Sequence, residues 1–352
     1  MKRVMLGLSA VAFVVGGQIV LGQGQGLGQG QGQGLGHDPF FDRSDTGEII
    51  HVLPAQAEVH SPRDTQPTFA SPSDETAVFA PSYGSGDLID HGGPQIPNAA
   101  FLAIYWNSSV ANSTATSTFN GFHYDTIQKQ LSAFIQNFAD GANWDNSATD
   151  DYTVIQQYGS SNDIANSLFA RSDLVDTKPT TGTIKDSGIR SYLKALFDAH
   201  KVIVDENTVY GVYFPHGMKV SLQGTSCSTF CGYHSHFTYN GLQIRYAAFP
   251  YLDCSACKLS TLTVADMLTI VTSHEIREAV TDPQLNAWFD SSGYEADDKC
   301  AWHNLYQMTA GSFWVQPEYS NGGTVTASGF TATYPAHGCV VPNQGPAQHR
   351  PH

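Results

Sequence analysis

His274, Glu275 and Glu278 stand in one segment, residues 264–283, VADMLTIVTSHEIREAVTDP. At helical spacing Val264, Leu268 and Val271 share a stripe, and that stripe continues into the three ionisable residues. A buried face that turns from aliphatic to ionisable needs a counter-charge, because unpaired charge in a protein interior is costly. His274 and Glu278 are four apart, so their side chains meet, and Glu275 lies one step round. This is the layout of the zinc-protease helix H-E-x-x-H with Glu in place of the second His. The chemistry would be that of a Lewis-acid metal, with His274 and Glu278 as ligands. Glu275 would take a proton from water as that water attacks a carbonyl. The plainer alternative is a surface helix with a few carboxylates and one hydrogen-bonded His.

A third ligand must reach back to this helix. Residues 284–304, QLNAWFDSSGYEADDKCAWHN, carry Asp290, Glu295, Asp297, Asp298 and His303. Glu295 and Asp298 are the preferred third ligands, whereas Asp282 sits where it would cap the helix or bridge to the loop. Zinc is the expected metal, and calcium is the other choice, since a carboxylate-rich loop suits both. His234 and His236, in CGYHSH, could add an imidazole from another loop, although each taken alone reads as a structural His.

The helix that carries the motif has marked ends. Thr263 and Asp266 form a capping-box pattern, and Pro283 stops the helix near Thr281. Ahead of it, residues 101–106 (FLAIYW), 152–158 (YTVIQQY), 208–220 (broken by Pro215) and 242–249 (LQIRYAAF) read as strands. Residues 124–138 and 189–199 read as helices with inward-facing Leu131, Phe134, Leu193 and Phe197. Such alternation implies a sheet with helices packed on it. A last strand laid beside an H-E helix is similar to the zincin type of metallopeptidase, in which an edge strand pairs with substrate backbone. That role would fall to residues 242–249. The expected class is therefore α+β, a mixed sheet with packed helices, zincin-like and stabilised by disulfides.

The whole chain narrows the function further. Its 352 residues carry a formal net charge of −15, which argues against nucleic acid or an anionic membrane as partner. Residues 1–22 have the pattern of a signal peptide, with Lys2 and Arg3 before an apolar run too short and Gly-broken for a membrane anchor. Residues 23–36 are a Gly-Gln tract, a flexible tether by composition. Residues 23–87 together read as tether or pro-segment, with His37, His51 and His60 as solvated linker histidines. A single domain is expected over residues 88–345, and residues 346–352 as a disordered tail. The product is a secreted monomer whose partners are extracellular peptide, protein or cell-wall material.

Six cysteines, Cys227, Cys231, Cys254, Cys257, Cys300 and Cys339, favour disulfides in an exported chain. The favoured pairs are Cys227–Cys231, Cys254–Cys257 and Cys300–Cys339. The rival is a four-cysteine zinc site from the first four.

HGGPQIPNAAFLAIYWN at His91, SCSTFCGYHS at Ser226, and the 264–283 helix with NAWFDSSGYEADDKC resemble the phosphate-induced protein 1, or EXORDIUM-like, family. The resemblance runs over residues 90–342. Plant members are secreted proteins of the cell wall and growth, without an assigned reaction, and lack the His-Glu pair on this helix. Microbial members carry S-H-E-x-x-E-A-x-T-D-P followed by an acidic loop. Ser273, His274, Glu275, Glu278, Asp282, Glu295 and Asp298 match that pattern. The resemblance implies secretion and a metallopeptidase-like site.

Overall fold

A computed structural model of the chain describes residues 38–56, 68–70, 76–119, 122–138, 152–159, 164–165, 168–308, 311–327 and 330–342. The signal-peptide pattern, the Gly-Gln tract and the C-terminal tail lie outside these. The fold is mixed α+β. Its largest sheet has eight strands. They are β1 (Phe41–Arg43), β2 (Ile49–Pro54), β3 (Ala100–Tyr105), β4 (Phe169–Ala170), β5 (Leu174–Val175), β6 (Thr208–Tyr213), β7 (Phe230–Tyr239) and β8 (Leu242–Phe249). The order is β1-β2-β7-β8-β6-β3-β4, with β5 also pairing β3. β8, β6, β3 and β4 are parallel neighbours, while β7, β2 and β1 add antiparallel pairs at one side.

β3, β6 and most of β8 are buried on both faces, which is why they read as continuous apolar runs. Alternation along β6 sends Val209 and Tyr213 to one face and Tyr210 and Val212 to the other. The first face packs α1 (Ile127–Phe138) and α3 (Val264–Thr281); the second packs α2 (Asp186–Asp198). Leu131 and Phe134 of α1, and Leu193 and Phe197 of α2, are buried at the expected helical spacing. In α3 the Thr263–Asp266 capping box is complete in both directions, and the helix ends at Thr281 with Asp282 as its C-cap. All 18 of its residues are buried, so it is an interior helix and not the surface helix of the plainer reading.

Several expectations about strands and segments need correction. Residues 152–158 do not form a strand; Thr153–Tyr158 is a 3-10 helix, with buried Thr153, Val154, Ile155 and Tyr158 at turn spacing instead of alternation. The strand expected over 208–220 ends at Tyr213, and Lys219–Ser221 is a separate short strand beyond Pro215. β8 is an interior strand between β7 and β6, so it offers no free edge to a substrate. Most consequentially, residues 38–56 are not a tether. β1 and β2 form a hairpin that extends the sheet beside β7, and Phe40, Ile50, Leu53 and Ala55 are fully buried. Ala77–Phe79 also pairs, with Gly338–Val341.

The cysteines are disulfide-bonded, which excludes the four-cysteine zinc site. Cys300–Cys339 forms as expected, but the first four cross: Cys227 pairs Cys254 and Cys231 pairs Cys257. The local pairs fail because Cys227 and Cys231 stand at the entry to β7 while Cys254 and Cys257 lie on the turn that leads into α3. Both crossed bridges therefore fasten strand to helix entry, and each is worth about 2–4 kcal/mol. Unreduced tryptic digestion should leave residues 220–245 and 246–258 joined, and reduction should part them. Separate peptides without reductant would restore the local pairing.

Candidate metal centre

α3 and the loop after it bring the motif residues together in the protein interior. Glu275, Glu278, Glu295, Asp298, His234 and His274 are at most 1% exposed, and His51 is 7% exposed. The i,i+4 spacing places His274 Nε2 at 3.0 Å from Glu278 Oε2. Asp298 Oδ1 lies 3.7 Å from the same imidazole nitrogen. His234, on β7, reaches Glu275 Oε2 at 3.3 Å and Glu278 Oε2 at 3.7 Å through Nδ1. Its Nε2 is 3.8 Å from Glu295 Oε1. His51, on β2, holds Glu295 Oε2 at 2.7 Å through Nδ1.

Glu278 and Asp298 are aimed by backbone contacts. The Asp298 N–H donates to Glu278 Oε1 at 3.0 Å, which leaves Oε2 facing the imidazoles. The Glu295 N–H donates to Asp298 Oδ2 at 3.2 Å, which leaves Oδ1 facing His274. The loop is pinned by Arg277, whose guanidinium grips both oxygens of Asp297 and donates to the Gln316 carbonyl at 3.0 Å. Asp297 is thus spent on Arg277, and its neighbour Asp298 turns to the centre. Gly232 lets α3 approach β7: a Cβ there would lie 2.4 Å from Val271 Cγ1 and 3.0 Å from Glu275 Oε1.

The expected donors His274, Glu278 and Asp298 form one group of three whose ligand atoms lie within 4.8 Å of one another. Glu295 does not join that group; it sits with His51 and Asp298 instead, and Glu275 sits with His234 and Glu278. Asp282 caps, accepting from the Asn286 and Ala287 N–H groups at 2.6 and 2.7 Å. Asp290 accepts from Lys299 Nζ at 2.7 Å and serves the loop. His236 is in none of these groups. His51, taken from the sequence as a linker His, is a correction: the signal was IIHVLP, one polar residue inside an otherwise apolar strand. His234 lies beside Glu275 and Glu278 and forms a group with them.

Burial dominates the electrostatics of the cluster. Burial first, then the neighbouring carboxylates, pushes Glu275 and Glu295 well above the ordinary range. Glu278 and Asp298 are likewise pushed well up, burial being the largest cause. Burial lowers His51 to about 4 and lowers His234 and His274 too. Glu275 Oε1, Glu295 Oε1, Asp298 Oδ1, His234 Nε2 and both His274 ring nitrogens are buried without a hydrogen-bond partner. Donors around one zinc at its usual bond lengths stand about 3.4 Å apart. The 3.0–3.7 Å separations around His274 fit that spacing, so the residues suit a divalent ion.

The centre is closed. The Phe41 ring stacks edge-on to His51 at 4.8 Å and covers Gly293, whose φ of +96° and lack of Cβ both suit glycine. Tyr294 donates to Asp38 at 2.9 Å, so the β1–β2 hairpin lies over the acidic loop. No family model, curated protein or solved structure matches the chain.

The shifts set a pH dependence for the metal-free protein. Each carboxylate has a folded-state pKa above its unfolded value, so its stability is present at low pH and is lost as pH rises through the raised value. The imidazoles act oppositely, but only below their unfolded pKa of about 6.5. Above that pH the carboxylates alone decide. Chelated protein should therefore melt lower by about 5 °C or more between about pH 6.5 and 8.5, with zinc removing most of the slope. A flat profile in chelator would show that these carboxylates are not buried together.

Proposed function

We propose that the protein is a secreted, metal-dependent hydrolase, most nearly a zinc metallopeptidase, with His274, Glu278 and Asp298 as ligands and Glu275 as general base. One observation carries this: three donors at ligand spacing converge on the helix that also presents Glu275. A bound divalent ion supplies Lewis acidity toward a carbonyl and acidifies water. Glu275, on the same helix as His274 and Glu278, is the carboxylate that would accept the proton of that water. His234, at 3.3 Å, orients that carboxylate. The imidazoles favour zinc over calcium, which takes oxygen donors.

On this reading the β1–β2 hairpin, which covers Glu295 and the acidic loop, leaves before substrate enters. Its departure would free the β7 edge, the strand that bears His234, for pairing with extended peptide backbone. The zincin-like substrate rail is then β7, and residues 38–56 act as the covering pro-segment. The signal-peptide pattern and three disulfides support export. No helix among the described residues is long and apolar enough to cross a membrane.

The closure of the centre favours a second reading. A non-catalytic extracellular protein, as the EXORDIUM-like resemblance implies, would bind a cell-surface or wall component and keep the ion as a structural staple. Hydrolysis of a peptide library by the full chain, before and after limited proteolysis within residues 57–67, separates the two. The proteolysed wild type should cleave peptides, and Glu275→Gln should keep its metal while losing activity by about 100-fold or more. A metal-loaded, proteolysed wild type that releases no peptide would establish the staple. Full activity in Glu275→Gln would remove the general-base assignment.

A further inference from the structure

We propose that the centre holds a second divalent cation, on His51, Glu295 and Asp298, with Asp298 shared between the two ions. This rests on the metal-centre reading above and extends it from one ion to two. Geometry supplies the first argument. His51, Glu295 and Asp298 form a group of ligand atoms within 4.8 Å of one another, and Asp298 belongs also to the group with His274 and Glu278. Orphaned atoms supply the second. Glu295 Oε1 and His234 Nε2 face each other at 3.8 Å, both buried and neither with a hydrogen-bond partner.

Charge supplies the third argument. Glu275, Glu278, Glu295 and Asp298 are fully or almost fully buried, and one divalent ion balances only two of them. The nearest fixed cations are committed elsewhere: Arg277 to Asp297 and Glu318, and Lys299 to Asp290. A second divalent ion brings the four carboxylates to balance. Mixed imidazole and carboxylate donors point to zinc, manganese or iron as its class. Because His51 is on β2, the second ion would also tie the covering hairpin to the centre.

Metal analysis of the full chain, purified without chelator and then titrated with Co2+ after metal removal, tests this. Two ions per chain are expected, falling to one in His51→Ala, with Asp298→Asn weakening both by about tenfold or more. Magnetic coupling between two bound Mn2+ ions in the wild type gives a readout that needs no variant. One ion per chain, lost in His274→Ala and kept in His51→Ala, would overturn the second site and leave the first standing. Two ions that both persist in His51→Ala would overturn the assignment of its ligands. No binding of either Zn2+ or Co2+ by the wild type would overturn both sites.

Discussion

Four carboxylates share one dry volume, and the rest of the structure is arranged around that fact. Glu275, Glu278, Glu295 and Asp298 are drawn from a helix and a loop, and the three imidazoles around them are held neutral by burial. Apolar packing alone does not tolerate such a set; like charges this close raise one another's proton affinity. The cluster is therefore a site that demands cations or protons. The fold spends two crossed disulfides, a capping box and a buried Arg277–Asp297 pair on keeping it assembled.

The supports act on position more than on chemistry. Gly232 sets how near α3 can come to the sheet, and so how near Glu275 stands to His234. Arg277 fixes the donors' loop through Asp297, the neighbour of Asp298. Gln316 reinforces this hold, donating to the Asp297 carbonyl at 2.8 Å. Trp302, fully buried, donates to the Pro54 carbonyl at 2.9 Å and binds the end of β2 to the segment after the acidic loop.

Much of this was legible from local pattern. The helix over 264–281, its cap, its ligand spacing and the acidic loop follow from residues a turn or two apart, where sequence distance and spatial distance agree. β3, β6 and β8 were legible as apolar runs. What escaped depends on long-range pairing. His51 looks like any linker His until β2 lies beside β7, and the crossed disulfides look less natural than local ones until both loops meet. The role of β8 was misassigned because strand order in a sheet does not follow chain order. The 3-10 helix at Thr153–Tyr158 escaped because a short β-branched and aromatic run suits either conformation until packing decides.

The His51–Glu295 contact joins residues 244 positions apart in the chain. A nascent chain contains both halves of the cluster only once synthesis has passed Asp298. Strands β3, β6 and β8 and the three helices can collapse first, but the acidic loop finds its partners only when nearly the whole chain is present and its two ends have met. Contacts of such separation form late, after their loop-closure entropy has been met. On the proposed metal reading, ion capture would be a final folding event, fastening chains extended past Asp298 and leaving shorter ones without a complete binding site.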